Sequence, residues 1–297
     1  DSLQFTTGNT ISIIGGYLSS CVLYKSSLPA LLLTSGNNAY VYITTIDAPQ
    51  TELFGDLRIY GNSNVFKTIV NNSGILQNYQ NNSYILNVNG SFTNNGTVQN
   101  NVYNFTLNIA GNLANNGTWT NYSTVLNGIV NQQLAMTQTF GGAYFTRTAS
   151  TGRAIATTGL SFIGTAIDFN ADSLEFTTGN ALAMSGGYLN ACVLYKSSLP
   201  SIQLTSGGGN YLSGVTIDSP QAGLNGTVLI SGNSNNFKSD VTNYGTLQNR
   251  PNNSYTLTVN GNFSNNGIVQ NNVYSFYLNI SGNIANSFGC AAGDFDN

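Results

Sequence analysis

Histidine is missing from all 297 residues, and charged side chains make up only 6% of them. Without histidine the chain lacks the commonest general base, triads of the Ser-His-Asp kind and every His-containing metal site. Eight Lys and Arg against eleven Asp and Glu leave a net charge of −3. That leaves no basic footprint for nucleic acid, whose recognition rests on clustered positive charge. Cysteine is scarce too. Cys21, Cys192 and Cys290 are too scattered for a zinc site, and their odd count does not identify a compartment. No apolar run approaches the roughly 18 to 20 residues that span a bilayer, and neither a signal-peptide pattern nor an initiator Met opens the chain. The expectation is a processed or excised part of a longer polypeptide. Disorder is not implied: 41% of residues are hydrophobic, with 17 Tyr and 15 Phe, whereas disordered chains are poor in aromatic and β-branched residues. Asn, Gly, Ser and Thr fill the place of charge.

Those residues are arranged in a repeat. Leu86-Asn-Val-Asn-Gly-Ser-Phe-Thr-Asn-Asn-Gly-Thr-Val98 returns 21 residues later as Leu107-Asn-Ile-Ala-Gly-Asn-Leu-Ala-Asn-Asn-Gly-Thr-Trp119. Leu86, Val88 and Phe92 occupy alternate positions, so a pleated strand sends them to one face and Asn87, Asn89 and Ser91 to the other. Asn94-Asn95-Gly96 supplies the turn, since Asn tolerates and Gly freely adopts left-handed backbone angles. This is one rung of a solenoid. Asn94 is expected to stack under Asn115, and Asn265 under Asn286, as amide ladders along the axis.

A longer period lies over the short one. Shifting the chain by 171 residues aligns 1–115 with 172–286 without a gap, at roughly 60% identity. Cys21-Val-Leu-Tyr-Lys-Ser-Ser-Leu-Pro29 matches 192–200 residue for residue. The missing gaps have a physical reason, because one inserted residue would flip every following side chain of a stacked strand. The predicted organisation is a first solenoid copy over 1–115, connecting rungs over 116–171, a second copy over 172–286, and the start of a following unit or tail over 287–297. Cys21 and Cys192 occupy matching positions of the two copies. At about 4.8 Å per rung they would stand on the order of 40 Å apart, too far to pair, and they read as inert core thiols.

Carboxylates are the remaining source of chemistry. Asp47 and its copy Asp218, or Glu52 with Asp56, are candidates because glycoside hydrolysis needs two carboxylates roughly 5 to 9.5 Å apart. Glu52 becomes Gly223 and Asp56 becomes Thr227 in the second copy, so a pair would exist once only, and Asp47-Ala-Pro49 reads more simply as a turn start. Lys25 and Lys196, in the shared Tyr-Lys-Ser-Ser-Leu-Pro, read as a turn leaving a strand or as a ligand contact repeated along the axis. Trp119, the single Trp, either fills a wide core layer or offers a stacking platform for a sugar.

Three short stretches carry resemblances. The Asn-Asn-Gly-Thr rungs resemble those of large repeat-rich surface and secreted β-helix proteins of Bacteroidota, which are adhesin-like. Asp-Ser-Leu at 1–3 and 172–174 resembles the Asp-Ser/Thr-apolar acceptor of O-glycosylation in exported proteins of that group, which implies Ser2 and Ser173 as attachment sites. Gly293-Asp-Phe-Asp-Asn297 resembles the opening of an FG-GAP-like calcium loop, which would make Asp294 and Asp296 metal ligands.

The expected fold is an all-β, right-handed parallel β-helix with rungs of about 21 residues and about fourteen rungs in all; tandem β-sandwiches are the competing fold. The expected function is a non-enzymatic extracellular or cell-surface structural module, a stalk, adhesin or self-assembling fibre subunit. A carbohydrate-active β-helix enzyme, lyase or glycosidase, is the alternative. No catalytic residue and no cofactor are assigned. Expected partners are the chain itself end to end or neighbouring domains of a longer chain, with surface glycans a further candidate and no membrane span.

Overall fold

A computed structural model describes residues 1–36, 38–149 and 151–287. Cys290, Asp294, Asp296 and nearly all of the proposed tail lie outside the described residues. All regular elements within them are strands. Contacts divide the chain into two compact units, Asp1–Gly152 and one that begins at Arg153. The boundary falls within the connecting segment, so each unit holds one copy of the duplication and part of that segment.

The rung read from the sequence is present in the first unit. Tyr84–Val88 lies parallel to Phe105–Ile109, with Leu86 opposite Leu107 and Val88 opposite Ile109. Phe92–Asn94 pairs with Leu113–Asn115 in the same way, and Thr97–Gln99 with Thr118–Thr120. One coil thus contributes to three stacks of short parallel strands, joined by three corners. Leu86, Val88, Phe92, Val98, Leu107, Ile109 and Leu113 point inward and are buried, each contributing about 1.5–3 kcal/mol of apolar burial.

The second unit repeats the plan. Its first stack contains Ser173–Phe176, Val193–Tyr195, Thr216–Asp218, Asn235–Phe237, Tyr255–Val259 and Phe276–Ile280. Its second contains Asp240–Asn243, Phe263–Asn265 and Ile284–Asn286, and its third Thr246–Asn249 and Ile268–Gln270. The pairing is parallel in both units, which removes the tandem sandwich, whose strands pair antiparallel. Each unit is a parallel β-solenoid.

The structure corrects two details of the reading. The coil of about 21 residues varies in length: partners in register lie 18 residues apart at Tyr40 and Arg58, 20 at Thr45 and Val65, 21 at Tyr84 and Phe105, 22 at Asn64 and Leu86, and 23 at Tyr17 and Tyr40. Several strands also run unbroken round a corner. Tyr40–Asp47 is one strand, yet Tyr40 pairs with Arg58 while Thr45 pairs with Val65 in another stack. The bend is made at Ile43, at φ 50°, so Ile43 points to solvent instead of joining Ile46 in the core.

The second correction concerns glycine. Gly74, Gly96 and Gly117 do not adopt left-handed angles; they are glycine because backbone lies directly on backbone. A Cβ on Gly96 would stand 2.1 Å from the Gly74 carbonyl oxygen, and one on Gly117 2.1 Å from that of Gly96. The Gly96→Ala change is expected to cost about 2–3 kcal/mol through forced displacement of two coils. Gly8→Ala, where a Cβ meets nothing within 4 Å, should stay within about 0.5 kcal/mol of wild type. Urea unfolding of the two variants checks the difference.

Candidate functional site

Carboxylates come first, because only they could supply acid–base chemistry. Asp47 ends a strand at the corner between the first and second stacks and accepts from Lys67 Nζ at 2.8 Å, one coil on. Glu52 accepts from Gln50 Nε2 at 2.5 Å and Asn71 Nδ2 at 2.7 Å. Asp56 lies beyond the Gly55 corner, takes Arg58 Nη2 at 2.9 Å and accepts from Gln77 Nε2 at 2.6 Å. In the second unit Asp218 pairs with Lys238 at 2.8 Å. Each candidate carboxylate therefore has a fixed donor of its own. Among the described residues no group of three or more Cys, Asp or Glu is placed to hold a metal ion.

Lys25 and Lys196 each follow a strand, Tyr17–Tyr24 and Val193–Tyr195, and open the turn through Ser-Ser-Leu-Pro, as the plain reading expects. Only 3% and 2% of their surfaces are exposed, so neither side chain offers a ligand contact repeated along the axis. Lys196 Nζ turns inward toward the carbonyl oxygens of Phe176 and Thr177, at 3.5 and 3.4 Å. Trp119 is core. It lies edge-on to Phe92 at 5.6 Å and its Nε1 donates to Asn121 Oδ1 at 2.9 Å and Thr124 Oγ1 at 3.0 Å. Ser2 begins the strand Ser2–Gln4 and is exposed, whereas Ser173 begins Ser173–Phe176 and is half-buried beside inward-facing Leu174.

The asparagine ladders form as expected and extend one coil further. Asn72 Nδ2 donates to Asn94 Oδ1 at 2.9 Å, and Asn94 Nδ2 to Asn115 Oδ1 at 3.0 Å. Asn243 donates to Asn265, and Asn265 to Asn286, at 2.8 and 3.1 Å. Each buried amide also ties its own corner: Asn94 Nδ2 reaches the Thr118 carbonyl at 2.9 Å, while its Oδ1 accepts from Gly96 N at 3.2 Å. Asn115 pairs in register with Met136, where the ladder stops, and its Nδ2 has no hydrogen-bond partner among the described residues.

Sequence reasoning missed a column of tyrosines at the corner between the third stack and the first. In the first unit Tyr60, Tyr79, Tyr84, Tyr103, Tyr122 and Tyr144 lie at or beside this corner, Tyr79 and Tyr84 on one coil, and Tyr17 and Tyr40 open third-stack strands just before it. Tyr17 and Tyr40 stack at 5.0 Å with 12° between planes. Tyr40 meets Tyr60 at 5.4 Å and Tyr79 at 4.8 Å, and Tyr60 continues to Tyr42 at 4.8 Å and Tyr84 at 5.1 Å. Tyr122 and Tyr144 meet edge to face at 5.0 Å. Partial burial raises the pKa of Tyr40, and the phenols of Tyr17, Tyr79 and Tyr60 add to the rise. A hydrogen bond with Tyr144 does the same for Tyr122. The abundance of tyrosine, 17 in the chain, was the available signal, since their intervals follow no fixed period.

No family model matches the chain, and no match to it is found among curated proteins or among solved structures. No helix among the described residues is long and apolar enough to cross a membrane.

Two outcomes follow for the interior. Asn94→Ala removes a fully buried amide with four hydrogen bonds to its surroundings, and should cost about 2–4 kcal/mol. Asn94→Asp should cost more at neutral pH, since a carboxylate cannot donate to Asn115 Oδ1 or the Thr118 carbonyl. Burial would raise its folded pKa above the unfolded value of about 3.9, so the extra loss shrinks as the pH falls below that folded pKa. Melts of both variants between pH 4 and 8 measure this. For cysteine, burial pushes the Cys192 thiol well above the usual range. Iodoacetamide at pH 8 should alkylate it on the order of 100-fold more slowly in the native chain than in denaturant, read by peptide mass mapping.

Proposed function

We infer that the chain is a non-enzymatic structural module of an exported surface or secreted bacterial protein, a stalk or adhesin segment or a self-assembling fibre subunit. One observation carries this reading: three of the four candidate carboxylates, Asp47, Asp56 and Asp218, behave as halves of neutral pairs. Asp47 and Lys67 persist together as Asp218 and Lys238, bonded at the same 2.8 Å. Asp56 and Arg58 vanish together, replaced by Thr227 and Leu229. A catalytic carboxylate is retained for where it points, whereas these are retained or lost with their counter-ions. Glu52 gives way to Gly223, where a Cβ would stand 2.2 Å from the side-chain amide oxygen of Gln203.

The investment of polar side chains supports the same reading. Asn, Gln and Thr side chains mostly bond to the next coil, as Gln99 does to Gln77 and Gln270 to Gln248, which favours a rigid scaffold. The resemblance of the Asn-Asn-Gly-Thr rungs to surface repeat proteins of Bacteroidota supports a location outside the cell. Its partners would be further copies stacked end to end, or neighbouring domains.

Incubating the purified chain with a panel of plant and bacterial polysaccharides should release no reducing or unsaturated ends above a blank; release that scales with protein concentration would overturn the reading. Negative-stain microscopy then separates its two forms. Filaments that lengthen with concentration identify a fibre subunit, and single short particles identify a stalk segment.

A further inference from the structure

Part of the tyrosine column of the first unit is not required by the coil that carries it: Tyr17, Tyr40, Tyr84 and Tyr103 persist in the second copy as Tyr188, Tyr211, Tyr255 and Tyr274, but Tyr42, Tyr60 and Tyr79 do not. The second unit builds the same corner in the same register with different residues. Tyr40, Val41 and Tyr42 lie opposite Arg58, Ile59 and Tyr60; Tyr211, Leu212 and Ser213 lie opposite Leu229, Ile230 and Ser231. Two stacked tyrosines have become two serines without a change in pairing. Tyr79 has likewise become Arg250, whose guanidinium stands 4.1 Å from the Tyr211 ring centroid. The rings peculiar to the first copy, Tyr42, Tyr60 and Tyr79, are half-buried, and they extend a surface begun by the shared and more exposed Tyr17 and Tyr103, at 61% and 47%. Rings that the fold does not need at these positions, and buries only in part, are free for recognition.

We propose that this corner of the first unit, from Tyr17 to Tyr144, binds a neutral polysaccharide chain. The C–H faces of a pyranose ring carry partial positive charge and match the negative face of an aromatic quadrupole. Interplanar angles from 12° to 82° along the column turn some rings edge-on and others face-on to an approaching chain. Phenol hydroxyls both donate and accept, as sugar hydroxyls do, and the exposed amides of Asn62 and Asn81 sit in the same turns. Tyrosine loses little side-chain entropy on binding. Charge complementarity selects the class of glycan. The ions nearest the column, Arg58 and Asp56, neutralise each other at 2.9 Å, and Arg58 Nη1 is further bound to Asn38 Oδ1 at 2.6 Å. No unpaired cation is thus offered to a uronate or sulfate group, and an uncharged chain meets an uncharged surface. The assignment rests on the reading of the chain as a non-enzymatic adhesive module, and names what it would adhere to.

The test is affinity electrophoresis of the whole chain in native gels containing dextran, galactomannan, hydroxyethyl cellulose or alginate. Retardation is expected in at least one neutral gel and not in alginate. The double variant Tyr42→Ser/Tyr60→Ser, which installs the residues of the second unit, should bind at least about five-fold more weakly while keeping its melting temperature within a few degrees. Tyr17→Ser/Tyr103→Ser, which alters exposed rings, provides a second variant should the first unfold. Unchanged mobility in every neutral gel, retardation equal in wild type and folded variants, or preferential retardation in alginate would each overturn the proposal; the first of these would leave the column to a protein partner. Reducing ends are measured in the same gels. Their release would overturn the non-enzymatic reading and leave the site standing, whereas unchanged mobility removes the site and leaves that reading standing.

Discussion

Parallel pairing at about 4.8 Å from coil to coil is the constraint from which the other features of both units follow. It sets each side chain against its equivalent on the coils before and after, so a residue type survives in a stack only if it tolerates its own kind. Leucine, valine and phenylalanine do so by packing, and tyrosine by offset or edge-on ring contacts. Like charges do not: two unit charges about 5 Å apart repel by roughly 1 kcal/mol even in bulk water, and by more near a low-dielectric surface. Where charge appears it alternates along the axis, with Lys67 beyond Asp47, Lys238 beyond Asp218, and Glu175 beyond Arg153 at 3.0 Å. The 6% charge content is therefore a consequence of the architecture, and by itself argues for no particular activity.

Asparagine meets the same constraint by being its own complement. Its amide donates through nitrogen and accepts through oxygen, so one copy satisfies the next, and the spare hydrogen and lone pair reach the corner backbone of the same two coils. A buried polar column of this kind costs little while every member is satisfied and is expensive where it breaks. The break occurs where Asn115 meets Met136, and there one amide nitrogen has no partner among the described residues. Glycine answers a different aspect of the stacking. At Gly74, Gly96 and Gly117 the corner of one coil rests on the carbonyl of the previous one, and only a residue without Cβ allows the approach.

The strand alternation around Leu86 and the ladder positions Asn94/Asn115 and Asn265/Asn286 were legible in the sequence because local spacing there is a constant 21 residues and the pattern has period two. Legibility failed where the coil length drifts. The tyrosines stand at 17, 40, 60 and 79, intervals that no fixed period captures, so the column emerges only once pairing is known. Ile43 and Ser20 look like ordinary strand residues, yet their positive φ turns a corner that glycine makes elsewhere. Lys25 and Lys196 were legible as the start of a turn after a strand but not as buried, because a long aliphatic stem can run inward and, at Lys196, bring its nitrogen to carbonyl oxygens. The carboxylates were legible as positions, but their partners were not, since Lys67 and Asn71 are neighbours of Asp47 and Glu52 only through the coil.

Comparison of the two copies shows how a molecule of this kind changes. Asn72, Asn94 and Asn115 all persist as Asn243, Asn265 and Asn286; Tyr42 and Tyr60 both become serine; Asp56 and Arg58 both lose their charge. Residues in contact across coils couple energetically, and their substitutions are not additive. A single tyrosine left against a serine would keep the exposure cost of the ring without its stacking partner, and a single Arg58 would be a cation without its counter-ion. The column, rather than the residue, is thus the unit in which this surface varies. An interior ladder whose members are tied both to each other and to the corner backbone resists such change, while an outer corner that needs only a compatible column accepts it. This separation lets one scaffold carry a continuous tyrosine cluster in the first unit and, in the second, a corner where Ser213, Ser231 and Arg250 stand beside the retained Tyr188 and Tyr211.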